Sequence, residues 1–185
     1  MAYQKLNYAQ ALAVIPSDEV RIPDPNSLIL SLANETGDFT KADLATVASG
    51  GLEAAGINPG AIVYNTTDGE AYWVLEVIDD QNIRLSGGAT GSAGAVFNIY
   101  NRQAEACNLY TGGFVSGNVG PTNPAIGGDL TVVMAEQNHS WTQADDVTGM
   151  SPITYKNVIP GHYHPINVIM VRKTGTTVEN IVALW

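Results

Sequence analysis

The sequence predicts an all-β protein: an antiparallel β-sandwich-like domain with a small β-barrel or roll module inserted in it. Three observations lead there. The chain holds 19 Gly and only 14% charged residues, against the usual quarter or so. Short runs dense in Val, Ile, Tyr, Phe and Trp recur along it, each bounded by Gly, Pro, Asn or Asp. Little of the chain reads as helix.

The elements follow in order. Residues 9–14 read as a short helical turn. Pro16, Pro23 and Pro25 then interrupt regular structure, so Val20–Ile22 is at most an edge strand. Ser27–Ala33 (SLILSLA) has strand length. Leu52–Ala55 suggests one helical turn ended by Gly56. Ala61–Asn65 (AIVYN) is a strand, and Asp68-Gly69 within the following Thr67–Glu70 carries the hairpin signal. Ala71–Ile78 (AYWVLEVI) is the strongest strand, rich in aromatic and β-branched residues. Asn82–Ser86 alternates cleanly, Ser86–Gly94 is a loop, and Val96–Tyr100 is a strand. Closing these strands into a barrel hides their edges. Beyond them, strands are expected at Ala106–Tyr110, Leu130–Met134, Ile153–Val158, Ile166–Arg172 and Asn180–Trp185. Residues 111–128 and 136–150 read as loops, and Pro160-Gly161 as a turn feeding a strand that starts at Pro165. The resulting division is a discontinuous outer domain, residues 1–35 and 104–185, around an inserted module at 36–103.

Composition limits the function. A net charge of −10 argues against binding nucleic acid through phosphates, which needs a Lys/Arg surface, and against docking on an anionic membrane. No apolar run approaches a membrane span, and no secretory signal is read at the N-terminus. The single cysteine, Cys107, reads as a small buried apolar residue beside Leu109. The glycosylation triplets at Asn34, Asn65 and Asn138 read as chance matches in an Asn/Thr-rich chain.

Candidates for chemistry are sparse. His162 and His164, in GHYHP, fall on one face of an extended chain, but zinc needs a third and usually a fourth ligand. The expectation is no metal and no cofactor. His139-Ser140 are adjacent in the chain and make no triad, and no Gly-x-Ser-x-Gly elbow occurs. The Gly112–Gly120 stretch lacks the Lys of a phosphate loop. Asp79-Asp80 and Asp145-Asp146 could hold calcium, but solvated turns are the default. Trp73 reads as core, and Trp141 among polar residues as a partner contact. No catalytic residue is assigned, and the chain is expected not to be an enzyme.

Both ends of the chain carry a recognisable pattern. AVIPSDEVRIPDP (Ala13–Pro25) opens it, and ITYKNVIPGHYHPINVIMVRKTGTTVENIVALW (Ile153–Trp185) closes it. Between them stand Asn108-Leu-Tyr-Thr-Gly-Gly113 and Gly127-Gly-Asp-Leu-Thr-Val132. Together these resemble a recurrent tailed-bacteriophage virion structural protein, and the span from Pro160 to Leu184 is the most specific part. The middle, from Gly51 to Tyr100 with Asn65-Thr-Thr-Asp-Gly69, is similar to a small β-module of phage structural proteins. In the family pattern the first strand runs straight into Leu-Tyr-x-Gly; here residues 34–106 intervene, which suggests an insertion. The positions of His162 and His164 are not fixed as histidine in that pattern.

The resemblance implies a non-enzymatic virion component. The expected location is the head exterior, as a capsid decoration, cement or head-spike-base protein. Its expected partners are the major capsid protein or another virion protein and further copies of itself. A tail or baseplate role is the alternative. A receptor- or glycan-binding module using Trp141, Tyr110 and the Gly113–Gly128 loop is another, and a metal enzyme using His162 and His164 a third. The expected assembly elements are Ile181, Val182, Leu184 and Trp185 of the last strand, with Trp141 and Tyr110.

Overall fold

The computed structural model describes residues 10–33, 44–46, 51–86, 95–112, 127–135 and 151–185. Among these residues the protein is all-β, built on two antiparallel six-stranded sheets. The strands are β1 (Ala11–Ala13), β2 (Leu28–Ala33), β3 (Leu44–Thr46), β4 (Ile62–Asn65), β5 (Glu70–Val77), β6 (Asn82–Leu85), β7 (Val96–Tyr100), β8 (Cys107–Thr111), β9 (Gly128–Met134), β10 (Ile153–Val158), β11 (His162–Val171) and β12 (Ile181–Leu184). The first sheet has the order β1-β12-β8-β11-β9-β10, and the second β2-β7-β4-β5-β6-β3.

Each sheet has its own core. Alternation along β4–β7 sends Val63, Tyr72, Val74, Ile83, Leu85, Phe97 and Ile99 to one side, where Leu52 and Ile57 join them. In the first sheet Cys107, Leu109, Leu130, Val132, Val168, Ile181 and Ala183 pack together with Val14, Ile22 and Val178. A third cluster joins the two. Ile62, Tyr64 and Tyr100 point away from the second sheet's core and pack on Val20, with Leu12, Ile15 and Trp73 alongside. Strand β4 is therefore buried on both faces. The Tyr64 and Tyr100 rings meet edge to face at 5.9 Å, and the Trp73 indole N–H donates to the Glu19 carbonyl at 3.0 Å.

The chain leaves and rejoins the first sheet through a narrow seam. Pro23 bridges Gln103, and the Asp24 amide donates to the Arg102 carbonyl. The Ser27 hydroxyl donates to the Asp24 and Arg102 carbonyls and accepts from the Arg102 amide. Leu28 then pairs with Tyr100.

Several expectations are corrected. Ser27–Ala33, placed with the outer unit by the sequence, pairs with β7 in the second sheet; the seam forces this by setting it beside the end of β7. The expected helical turn at residues 9–14 is a strand over Ala11–Ala13, because β12 offers a hydrogen-bonding edge and the Val14 amide continues onto the Ile181 carbonyl. β11 begins at His162, three residues before Pro165. The turn at Gly161, with φ +82°, comes earlier. The register shift between His164 and Val168 brackets Pro165, whose missing donor suits an irregular position. β3 has no counterpart in the sequence reading. Of the expected loops at 86–94, 111–128 and 136–150, residues 87–94, 113–126 and 136–150 lie outside the described residues, while Thr111 ends β8 and Gly128 begins β9.

Two glycines of the Gly-Gly-Asp-Leu segment are required by close approach. A Cβ at Gly127 would stand 2.5 Å from the Asn157 carbonyl carbon, and one at Gly128 2.8 Å from the Val178 nitrogen. Asn157 itself has φ +54° and sits where the β9–β10 register shifts.

Candidate assembly face

The first sheet turns one face to its core; on the other, Val133 and Met170 are buried with Ile169 at β9 and β11, and the more exposed part spans β1, β12 and β8. Leu109 pairs with Ala183 and His164, all on the core side. One residue along, Ala13 pairs with Val182, Val182 with Tyr110, and Tyr110 with Tyr163. Opposed residues of antiparallel strands share a face, so these four form a row across β1, β12, β8 and β11. Ala11, Leu184 and Asn108 form the neighbouring row. None of these residues is an Asp, Glu, Lys, Arg or His. Ala11, Ala13 and Tyr110 are exposed, Tyr110 by 37%, and Val182, Leu184, Asn108 and Tyr163 are half-buried.

Tyr110 is held in place. A Cβ at Gly112 would lie 3.2 Å from its ring and 3.4 Å from the Asn180 carbonyl, so the ring rests over the Gly112 backbone. Gly112 donates its amide to that carbonyl at 3.0 Å. The Tyr-x-Gly spacing thus presents an aromatic side chain against a fixed backing, the arrangement favoured at interface anchor residues.

The structure brings together Tyr110, Val182 and Leu184 of the expected assembly residues. It puts Ile181 in the core on the opposite face. Trp185 is half-buried against that same core, its amide donating to the Gln10 carbonyl at 3.2 Å. Trp141 lies outside the described residues, as do His139, Ser140, Asp145-Asp146 and most of the Gly113–Gly128 loop.

His162 and His164 share the core side of β11 at its outer end. His162 is exposed. His164 is half-buried, with Nε2 3.1 Å from the Thr111 hydroxyl. Burial, and then the charge of His162, hold the His164 imidazole below its ordinary pKa. Among the described residues no group of three or more His, Cys, Asp or Glu side chains could hold a metal.

The other candidate groups serve the local fold. The Asp79 carboxylate accepts from the Gln81 amide and the Asn82 side chain, and Asp80 from the Glu53 amide. Asn65 is buried; its side chain accepts from the Thr67 and Asp68 amides and donates to the Asp68 carboxylate. The Cys107 thiol is buried beside the Val168 carbonyl, and burial pushes its pKa up to about 12. A groove of about 660 Å³ beside the seam is lined by Asn26, Leu28, Asn58, Asn101 and Arg102. Asn58 and Asn101 both donate to the Gly56 carbonyl and Arg102 pairs with Asp24, so these groups are engaged in holding the seam.

A contact missed in the sequence explains two motif segments at once. The Asp18 carboxylate accepts from Arg172 Nε at 2.9 Å, the Thr174 amide at 3.0 Å and the Thr174 hydroxyl at 2.6 Å. Desolvation opposes ionisation of Asp18, but the bonds from Thr174 and Arg172 together outweigh it and lower its pKa. Ser17 turns the chain here, its hydroxyl accepting from the Glu19 and Val20 amides. The co-occurrence of Pro-Ser-Asp near one end and Arg-Lys-Thr-Gly near the other was the available signal. Comparison with protein-family models, curated proteins and solved structures found no significant match.

Proposed function

We propose that this chain is a structural component of a bacteriophage virion, a capsid decoration, cement or head-spike-base protein on the particle exterior. The observation that carries the reading is how the resembling segments fit one another. Asn108–Gly112, Gly127–Val132 and Pro160–Leu184, dispersed in sequence, contribute strands to one sheet, Ala13–Pro25 runs from its edge strand alongside it, and these segments contact each other through their motif residues. Asp18 meets Arg172 and Thr174, Gly128 meets Val178, and Gly112 meets Asn180. A pattern spread over the chain and closed by its own contacts is a fold signature, and the resemblance attaches that signature to virion proteins. The net charge of −10 suits a surface that faces solvent better than one lining packaged DNA.

The finer architecture belongs to the same proposal. The first sheet bends over its own core in sandwich-like fashion, and the second is a small barrel or roll inserted between β1 and β8. The module's boundary moves to Leu28, where the chain enters the second sheet. Assembly rests on the uncharged face around Tyr110, Val182 and Leu184, where burial of apolar area supplies the drive.

Quantitative mass spectrometry of gradient-purified particles, with separated heads and tails, tests the reading. The expected result is many copies per particle, in the head fraction. Recovery of the chain only from the soluble lysate overturns it.

A further inference from the structure

The hairpin between β4 and β5 carries the only Asp-Gly step in the sequence, Asp68-Gly69, and no Asn-Gly step occurs. Such a step is chemically labile. The Gly69 amide nitrogen can attack the Asp68 side-chain carboxyl carbon. A C–N bond forms, one carboxyl oxygen leaves as water, and a cyclic succinimide results. Water then adds at the main-chain carbonyl and breaks its bond to nitrogen, leaving isoaspartate, so the net change is an isomerisation. Glycine hinders the attack least, because it lacks a Cβ and takes up many backbone conformations. Nothing lies within 4 Å of where a Gly69 Cβ would stand, so crowding does not prevent the reaction here.

We propose that Asp68-Gly69 is a latent site of isoaspartate formation and that the buried Asn65 residue holds it closed. Asn65 is 0% exposed and fixed in register opposite Glu70 in β5 and Phe97 in β7. It restrains both reacting groups. Its Nδ2 donates to Asp68 Oδ2 at 2.8 Å, and its Oδ1 accepts from the Asp68 amide at 3.0 Å, which ties the carboxylate back toward β4. The nucleophile is tied as well, since the Gly69 amide donates to the Asn65 main-chain carbonyl at 3.0 Å. Attack needs that N–H released and the carboxyl turned away from Asn65 at the same moment. Thr66 and Thr67 resist this by joining the loop to β7. The Thr66 amide donates to the Val96 carbonyl, and the Thr67 hydroxyl accepts from the Val96 amide, each at 2.9 Å. Every residue of Asn-Thr-Thr-Asp-Gly thus takes part in the restraint. Isomerisation would add one atom to the main chain between β4 and β5, the strand pair at the middle of the second sheet, where register sets which side chains reach the core. The inference concerns the isolated chain and is independent of the virion reading.

The test incubates the full chain at neutral pH, in native buffer and in urea, and follows isoaspartate at Asp68 by peptide mapping with mass spectrometry. Native wild type is expected to react about tenfold or more slowly than in urea, since reaction then waits on local opening. Asn65→Asp and Asn65→Ser each keep an acceptor for the turn amides and remove the Nδ2 donor. Either variant, folded by circular dichroism, is expected to recover most of the urea rate in native buffer. Should neither fold, hydrogen exchange at the Gly69 amide of wild type decides: it should be protected in native buffer, and urea too dilute to unfold the chain should raise exchange and isomerisation in parallel. Native wild type reacting as fast as the urea sample overturns the proposal. So does a folded Asn65 variant as slow as wild type, or an unprotected Gly69 amide.

Discussion

Replacing Asp18 by alanine should uncouple the N-terminal segment from the turn after β11. Three hydrogen bonds end on this one carboxylate. Bonds to charged groups contribute roughly 1.5–3 kcal/mol each when intact, but these three share an acceptor that is about a third exposed and do not add. A loss of about 2–3 kcal/mol follows, or a fall in Tm of roughly 4–12 °C at this chain length. Asp18→Asn keeps an acceptor for the Thr174 amide and gives up the charge, so a loss near half as large is expected. The pH dependence has a definite sign. Because the folded-state pKa is lowered, the contribution is present above the unfolded value and disappears as pH falls through the folded value. Urea unfolding of wild type and Asp18→Ala at pH 7, and at steps down to about pH 3, reads both effects. A difference under about 0.5 kcal/mol at pH 7, or one that stays constant into acid, would refute the reasoning.

Other outcomes follow from the same geometry. Gly127→Ala should destabilise the first sheet by about 2–3 kcal/mol or more, since its Cβ meets Asn157 backbone at 2.5 Å; thermal denaturation that matches wild type contradicts this. Cys107 should resist thiol reagents at pH 8 in the native state and react at once in denaturant, because its thiol is buried and poorly ionised. Deleting Val182–Trp185 removes a strand lying between β1 and β8. The first sheet should become protease-sensitive while residues of β4–β7 stay protected, as mass spectrometry of a limited digest will show. Trp73→Phe should cost about 1 kcal/mol through the lost bond to Glu19, detectable as a lower urea midpoint.

Much of the strand content was legible because it is local. β4, β5, β6 and β7 are dense in β-branched and aromatic residues and are separated by Asx and Gly turns, so each declares itself within about ten residues. β3 did not: Leu44-Ala45-Thr46 lies in an alanine-rich stretch with no β bias, and it is a strand because β6 offers it an edge. β1 was misread for the same reason, its conformation being imposed by β12 some 170 positions away (184 − 11 = 173). Ser27–Ala33 was legible as a strand but not as a member of the second sheet, since partnership depends on the seam at Asp24 and Arg102. The candidate face shows the same limit. Tyr110 and Val182 were each picked out in sequence, yet that they share a row is a matter of register, which residues so far apart do not encode locally.

The seam has a consequence for how the molecule reaches its folded state. Pro23 and Gln103 are 80 positions apart (103 − 23), and closing a loop of that length costs about 4 kcal/mol of chain entropy from the length-dependent part. Once β2 and β7 pair, that cost has been met within the second sheet. The first sheet then assembles as though its two stretches were nearly contiguous. The hydrogen bonds among Asp24, Ser27 and Arg102 act as a non-covalent staple, and the second sheet is the template that sets it. Refolding should therefore run in sequence, with β1 and β12 joining last, and a weakened staple should slow closure of the first sheet without slowing formation of the second.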